Sequence, residues 1–299
     1  MTENVTMQDM TDQRSTSSAA GVRRHVPWKR LLVLLFVSMI AWLVSHTSAL
    51  QAIDERGRDL LTPVSASVAP AEQILVVDIG EESLRDIGPW PWPRARLADL
   101  AEELLGPLQA RAVALDMILP APADPHGDQR LASLAAHAPL TLAYVPDLRT
   151  GMASLGVANH DGLASAKCVG HIGTEPDSDG VVRRVRAHVE RAGRTYPTLA
   201  LATLECAQYP VKAKAPLLTV EDTPTASFRI PFRLSNEAFT TVQAADVLRG
   251  DVDSSIARGR LVLIGSSAVG LSDYVATPLA PVTAGVLVHA QVLAELLRQ

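Results

Sequence analysis

The sequence predicts an α/β domain of three layers, a mixed and largely parallel sheet between helices, with a hairpin insertion and one transmembrane helix before it. Three observations predict it. Short apolar runs rich in β-branched residues alternate with stretches of helical periodicity, the pattern of strands covered on both faces. An Asp-Gly pair, Asp179-Gly180, separates two short alternating runs, a hairpin signal. An uncharged apolar stretch stands near the N-terminus. At 299 residues there is ample material for a hydrophobic core.

The elements follow in order. Residues 1–28 begin with a segment rich in Ser, Thr, Asp and Gln that buries too little apolar surface to fold, and they are expected to be a disordered cytoplasmic tail. Leu31 to Val44 reads LLVLLFVSMIAWLV, and the uncharged run continues to Leu50, about 20 residues, the length of a membrane-crossing helix. The helix is therefore placed at 29–50. Trp28 and Trp42 suit its interfaces, and Arg23, Arg24, Lys29 and Arg30 on its leading side favour a cytoplasmic N-terminus. A cleaved secretory signal is the alternative, because Thr47-Ser48-Ala49 offers small residues at a cleavage site; either way the rest is exported.

Gln51 to Leu61 has helical spacing and reads as a stalk ended by Pro63, followed by a small, polar linker, Ser65 to Gln73. Ile74 to Ile79 (ILVVDI) is a buried strand, Ala95 to Leu105 a helix stopped by Gly106-Pro107, and Ala112 to Leu119 (AVALDMIL) a second buried strand, which together form a parallel crossover unit. Asp128 to His137 is a helix and Leu140 to Val145 a strand. Val169 to Gly173 and Val181 to Val189 are the arms of the hairpin. Pro197 to Ala207 is a helix with proline in its first turn, Ser227 to Phe232 a strand, Ala244 to Leu248 a short helix and Leu261 to Ile264 a third buried strand. Gly285 to Leu297 reads as an amphipathic helix.

Charge and composition exclude several chemistries. A net charge of −5, with acids and bases interspersed, gives no reason to expect nucleic acid. Two cysteines, Cys168 and Cys206, cannot build a thiolate metal site. They either pair in an oxidising compartment or stay as two buried thiols. Glu175, Asp177, Asp179 and Gly180 match the opening of a calcium loop, yet Arg186 stands where its bidentate acid belongs, so a tight turn is the better account. No metal and no cofactor is expected. GSSAVG at Gly265 to Gly270 falls short of a nucleophile elbow, because Val269 replaces the glycine needed two residues after Ser267. No catalytic residue is assigned.

The candidate binding residues lie at strand ends, where open α/β sheets take ligands. Asp78, Asp116 and the segment Ser266-Ser267 close three core strands; turn or helix capping is the plainer reading of the acids. In GPWPWPR, Trp90, Trp92 and Arg94 form a stiff aromatic loop suited to recognition or to plugging the core edge. Asp273 and His289 could meet Asp116 at a polar site.

The landmarks VVDIGEESLRDIGPWPWPR, AVALDMILPAPADPHGDQRLA, HIGTEPDSDGVVRR, YPTLALATL and GRLVLIGSSAVGLSDYVATPLAPVTAGVLVHAQVLAELL follow one another in an order that resembles the CHASE domain of the second type. The resemblance spans roughly residues 50–299. It implies an extracytoplasmic sensor domain over 51–299 on a bacterial receptor in the inner membrane. That domain would receive a small-molecule or environmental signal and relay it to a cytoplasmic cyclase or kinase output absent from this chain. It carries no binding residue over. The chain stops at Gln299 in the helix that should lead back to the membrane, so a fragment or an output-less version is expected. The lipid bilayer and a second copy of the chain are the expected partners. The competing readings are an exported hydrolase using Ser266 or Ser267, and a structural module that dimerises through the stalk and last helix.

Overall fold

A computed structural model describes residues 28–45, 48–146, 157–191, 193–210, 227–271 and 273–298. The chain divides after Glu55 into two units, each of which is described by itself. The expected tail at 1–28 lies outside the described residues except for Trp28, which opens α1 (Trp28–Ser45). A second helix, α2 (Ser48–Ser65), follows. The expected span at 29–50 thus covers most of α1 and the start of α2, with residues 46 and 47 outside the described residues. Leu31 to Ser45 rises about 22 Å at 1.5 Å per residue, against roughly 30 Å of hydrocarbon. Among the described residues no helix is long and apolar enough to cross a membrane. The apolar side chains described on α1, from Leu31 to Ile40, are exposed. Pro63 lies inside the last turn of α2 rather than ending it.

The second unit runs β1 (Ile74–Asp78), α3 (Glu81–Ile87), α4 (Arg94–Leu105), β2 (Ala112–Leu115), α5 (Pro125–His137), β3 (Leu140–Tyr144) and β4 (Cys168–His171). It continues through β5 (Glu175–Pro176), β6 (Val182–Arg186), β7 (His188–Arg191), β8 (Arg194–Pro197), α6 (Leu199–Cys206), β9 (Ser227–Arg229), β10 (Thr240–Gln243) and α7 (Ala244–Arg249). The last elements are β11 (Leu261–Gly265), β12 (Tyr274–Val275), β13 (Thr283–Ala284) and α8 (Gly285–Leu297).

Six strands form one sheet in the order β10-β1-β11-β2-β3-β4. Among the described residues its strand pairs are all parallel, so the expectation of a mixed sheet is corrected: the antiparallel strand pairs described lie in three separate small sheets. The continuous apolar runs are explained by cover on both faces. Ile74, Val76, Ala112, Ala114, Leu261 and Leu263 pack with α6 and α8. Their neighbours Leu75, Val77, Val113, Leu115, Val262 and Ile264 pack with α4, α5 and α7. The three-layer expectation holds.

Two details differ from the sequence reading. The last helix, α8, is buried on most faces rather than amphipathic, with His289 and Gln291 among its buried residues. Gln291 Nε2 donates to the Leu234 carbonyl at 2.6 Å, so a polar side chain that suggests solvent is in fact satisfied inside. The helix expected at 197–207 begins instead at Leu199, capped by Thr198, whose Oγ1 accepts from Leu201 N at 3.2 Å.

The hairpin insertion is β5 and β6. Gly180 turns it with φ 82°, a left-handed conformation that disfavours a side chain. The acids that resembled a calcium loop neutralise arginines. Arg183, 1% exposed, is gripped by Asp59 of α2 and by Asp177 and Asp179 at 2.8 Å, while Arg186 pairs with Glu175 at 2.8 Å.

Cys168 and Cys206 form a disulfide, which settles the alternative left open by the sequence and fastens β4 to the helix that covers it. The bridge closes a loop of sequence separation 38. Replacing Cys206 by alanine is expected to reduce unfolding free energy by about 2–4 kcal/mol. Urea titrations of wild type and variant measure this, and a wild-type midpoint unmoved by dithiothreitol would contradict the bridge.

Candidate functional site

The strands end level. Asp78 pairs with Gly265 and Ile264 with Leu115, and Asp116 N donates to the Ile264 carbonyl at 2.8 Å. The carboxyl ends of β1, β11, β2, β3 and β4 thus share one edge, as parallel register requires. Close approach of α8 to this edge depends on Gly265, where an added Cβ would lie 2.5 Å from Val286.

A cavity of about 710 Å³ opens there. Trp90, Asp116, Ser266, Asp273 and His289 line it, five of the nine sequence candidates. Its walls are otherwise mostly apolar, with Ile118, Val145 and Ile172 among them, and Tyr274 and Thr174 add hydroxyls. Asp116 and His289 face each other as expected, with Nε2 to Oδ1 at 3.5 Å and side chains 10% and 4% exposed. Burial raises the Asp116 pKa; the neighbouring imidazole opposes this and Asp273 reinforces it.

Four candidates stand apart from the cavity lining. Asp78 is consumed locally: it accepts from Ser267 N at 2.8 Å and from Ser267 Oγ at 2.5 Å. This is the capping role, a carboxylate that satisfies the turn after a neighbouring strand. Trp92 is 2% exposed and plugs the core edge, its indole donating to the Gly88 carbonyl at 2.9 Å. The aromatic loop therefore divides, with Trp92 structural and Trp90 on the cavity. Arg94 is buried; its guanidinium donates to the Ala121 carbonyl at 3.0 Å and lies 3.7 Å from Asp128. It ties the start of α4 to the loop before α5.

The serines are likewise engaged. Ser266 Oγ donates to the Ile79 carbonyl at 2.8 Å, and Ser267 Oγ to Asp78. Neither hydroxyl donates to an imidazole, the arrangement a serine nucleophile needs.

Two residues escaped the sequence reading. His171, at the end of β4, is fully buried and donates through Nε2 to the Arg186 carbonyl at 3.1 Å, while Nδ1 has no partner among the described residues. Burial, then the nearby His289, push its pKa down to about 3. Tyr274 reaches the cavity from β12 and donates to the Ser267 carbonyl. A histidine between Gly170 and Ile172 gives no periodic signal; the strand-end position is the only clue the sequence held.

Among the described residues no cluster of three or more His, Cys, Asp or Glu is arranged to hold a metal ion. Comparison with curated proteins and with solved structures returns no match. A protein-family model does match, over residues 32–299, and its description is CHASE2 domain.

Proposed function

The chain belongs to the CHASE2 domain family, and from that membership we propose that residues 51–299 are the extracytoplasmic sensor of a bacterial membrane signalling receptor. In this reading the apolar segment at 29–50 holds the domain at the inner membrane, with residues 1–28 as a cytoplasmic tail. The domain takes up a small-molecule or environmental signal. Its response crosses the bilayer to a cyclase or kinase output, carried by the same protein or by a partner. Such transfer requires that the signal bind two arrangements of the domain unequally.

The observation that carries the reading is the cavity at the strand ends, large enough for a metabolite and lined by a few polar groups among apolar walls. Other features support it. The Cys168–Cys206 disulfide suits an oxidising compartment outside the cytoplasm. The exposed apolar side chains of α1 suit lipid, and the bases Arg23, Arg24, Lys29 and Arg30 precede them. Leu60, Leu61 and Val64, exposed along α2, favour a homodimer formed through the stalk; the burial of α8 leaves that helix little free surface for the purpose. A sensor without catalysis agrees with two serines whose hydroxyls are spent on a carbonyl and a carboxylate.

The test is topological. Alkaline phosphatase fused after Gln299 is expected to be active in intact bacteria, and a fluorescent protein that folds only in the cytosol is expected to stay dark at the same position. A bright cytosolic reporter overturns the reading.

A further inference from the structure

We propose that the cavity at the strand ends takes an organic cation, a protonated amine joined to an apolar body, with its nitrogen held between Asp116 and Asp273. This rests on the sensor reading and names the ligand class for the same site.

The argument begins with Asp116. Its side chain is 10% exposed, yet among the described residues it accepts no hydrogen bond, and its described partner is His289 Nε2 at 3.5 Å. A carboxylate taken out of water without donors is unfavourable until a cation or a donor meets it. Burial, with Asp273 acting in the same direction, makes this carboxyl hold its proton more tightly than an ordinary aspartate. A bound cation would reverse that preference.

Asp273 supplies the second acid. A methyl built on Gly285 would lie 4.0 Å from Asp116 Oδ2 and 3.9 Å from Asp273 Cβ, so the two side chains converge over the first residue of α8. Neither lysine nor arginine is present among the described lining residues, so nothing basic there competes for the acids. The same lining disfavours an anion. Trp90 and Tyr274 offer aromatic rings, whose faces attract cations. Ile118, Val145, Ile172 and Val286 provide an apolar wall that a bare ion would not use. The absence of a three-ligand group among the described residues points the same way, towards an organic cation.

The experiment uses the full chain in detergent micelles, with thermal shift and calorimetry. The probes are 2-phenylethylamine, putrescine and spermidine, set against 2-phenylethanol, phenylacetate, and magnesium and calcium chloride alone. At least one amine is expected to bind saturably, at least tenfold more tightly than the alcohol or the carboxylate, and more weakly as pH falls and Asp116 takes up its proton. Asp116→Asn is expected to weaken that amine at least tenfold. Asp273→Asn, on an exposed side chain, is expected to weaken it with an unchanged melting temperature, which separates lost binding from lost folding. The inference is overturned by no saturable binding of any amine, by phenylacetate binding as tightly, by a divalent ion alone displacing the amine, or by amine binding that survives both substitutions. Tight phenylacetate binding would remove the cation class and leave the sensor reading in place. A cytosolic reporter at Gln299 would remove the sensor reading whatever the cavity binds.

Discussion

Replacing Arg183 by methionine is expected to lower unfolding free energy by about 3–5 kcal/mol, the scale for breaking a buried ion cluster by removing one partner. Arg183 is 1% exposed and lies among three carboxylates, Asp59, Asp177 and Asp179, whose side chains are 18%, 25% and 27% exposed. Without the guanidinium those acids face one another across a space that methionine fills but cannot neutralise. The carboxylates reach it from two places in the chain. Asp59 belongs to α2, whereas Asp177 and Asp179 belong to the hairpin turn, so the loss also unfastens α2 from β6. Arg183→Lys should fall between, because a single ammonium keeps the charge but loses the fork that meets several carboxylates at once. Urea unfolding measures the difference, and faster hydrogen exchange in α2 should accompany it. A loss under about 1 kcal/mol, the range of an exposed pair, would show that the acids rehydrate and the cluster contributes little.

Acid is expected to act through His171. In the unfolded chain this imidazole takes up a proton near its usual pKa of 6.5, whereas in the folded protein it does so only near 3. Between those values the unfolded state binds the extra proton. Stability is therefore complete above pH 6.5 and drains away as pH falls towards 3, by about 2.5 kcal/mol from this one group between pH 7 and pH 4.5. Asp116, whose pKa is raised by burial, acts in the opposite sense and offsets part of the loss. Asp179, held down to about 2 by the Arg183 guanidinium, contributes mainly below this window. His171→Gln should flatten the dependence of the urea midpoint over pH 7 to 4.5. If the variant and the wild type lose stability in parallel, the buried imidazole is not the titrating group.

The strands that could be read from the sequence are those with both faces covered. β1, β2 and β11 are unbroken apolar runs because α6 and α8 lie on one side and α4, α5 and α7 on the other. β10 was missed for the converse reason: it is an edge strand, Thr240–Gln243, whose polar side chains are half-exposed and show no run. The sequence reads β4 as a hairpin arm, although it closes the other edge of the parallel sheet, because Cys168-Val169-Gly170-His171 has too little apolar character to announce itself. α8 misled through its polar residues, which the sequence assigns to solvent and the structure pairs inside. For the candidate site, the rule for open sheets points to Asp116 and Ser266, and the structure places both on the cavity lining together with His289 of the last helix. That rule could not tell Asp116 from Asp78. Both are acids at strand ends, but only Asp78 has a serine backbone and hydroxyl within reach, a fact of three-dimensional proximity. Buried Arg183 was hidden likewise, since an arginine in a hairpin usually faces water.

The place of β11 in the sheet has a further consequence for biogenesis. It comes from Leu261–Gly265, yet it sits between β1 and β2, which are laid down well over a hundred residues earlier. Until that late segment arrives, the two early strands have no neighbour on the sides where they should meet it, so a nascent polypeptide lacking it has an open seam through its centre. A keystone strand that emerges so late in the domain postpones cooperative closure of the sheet until Leu261–Gly265 is available.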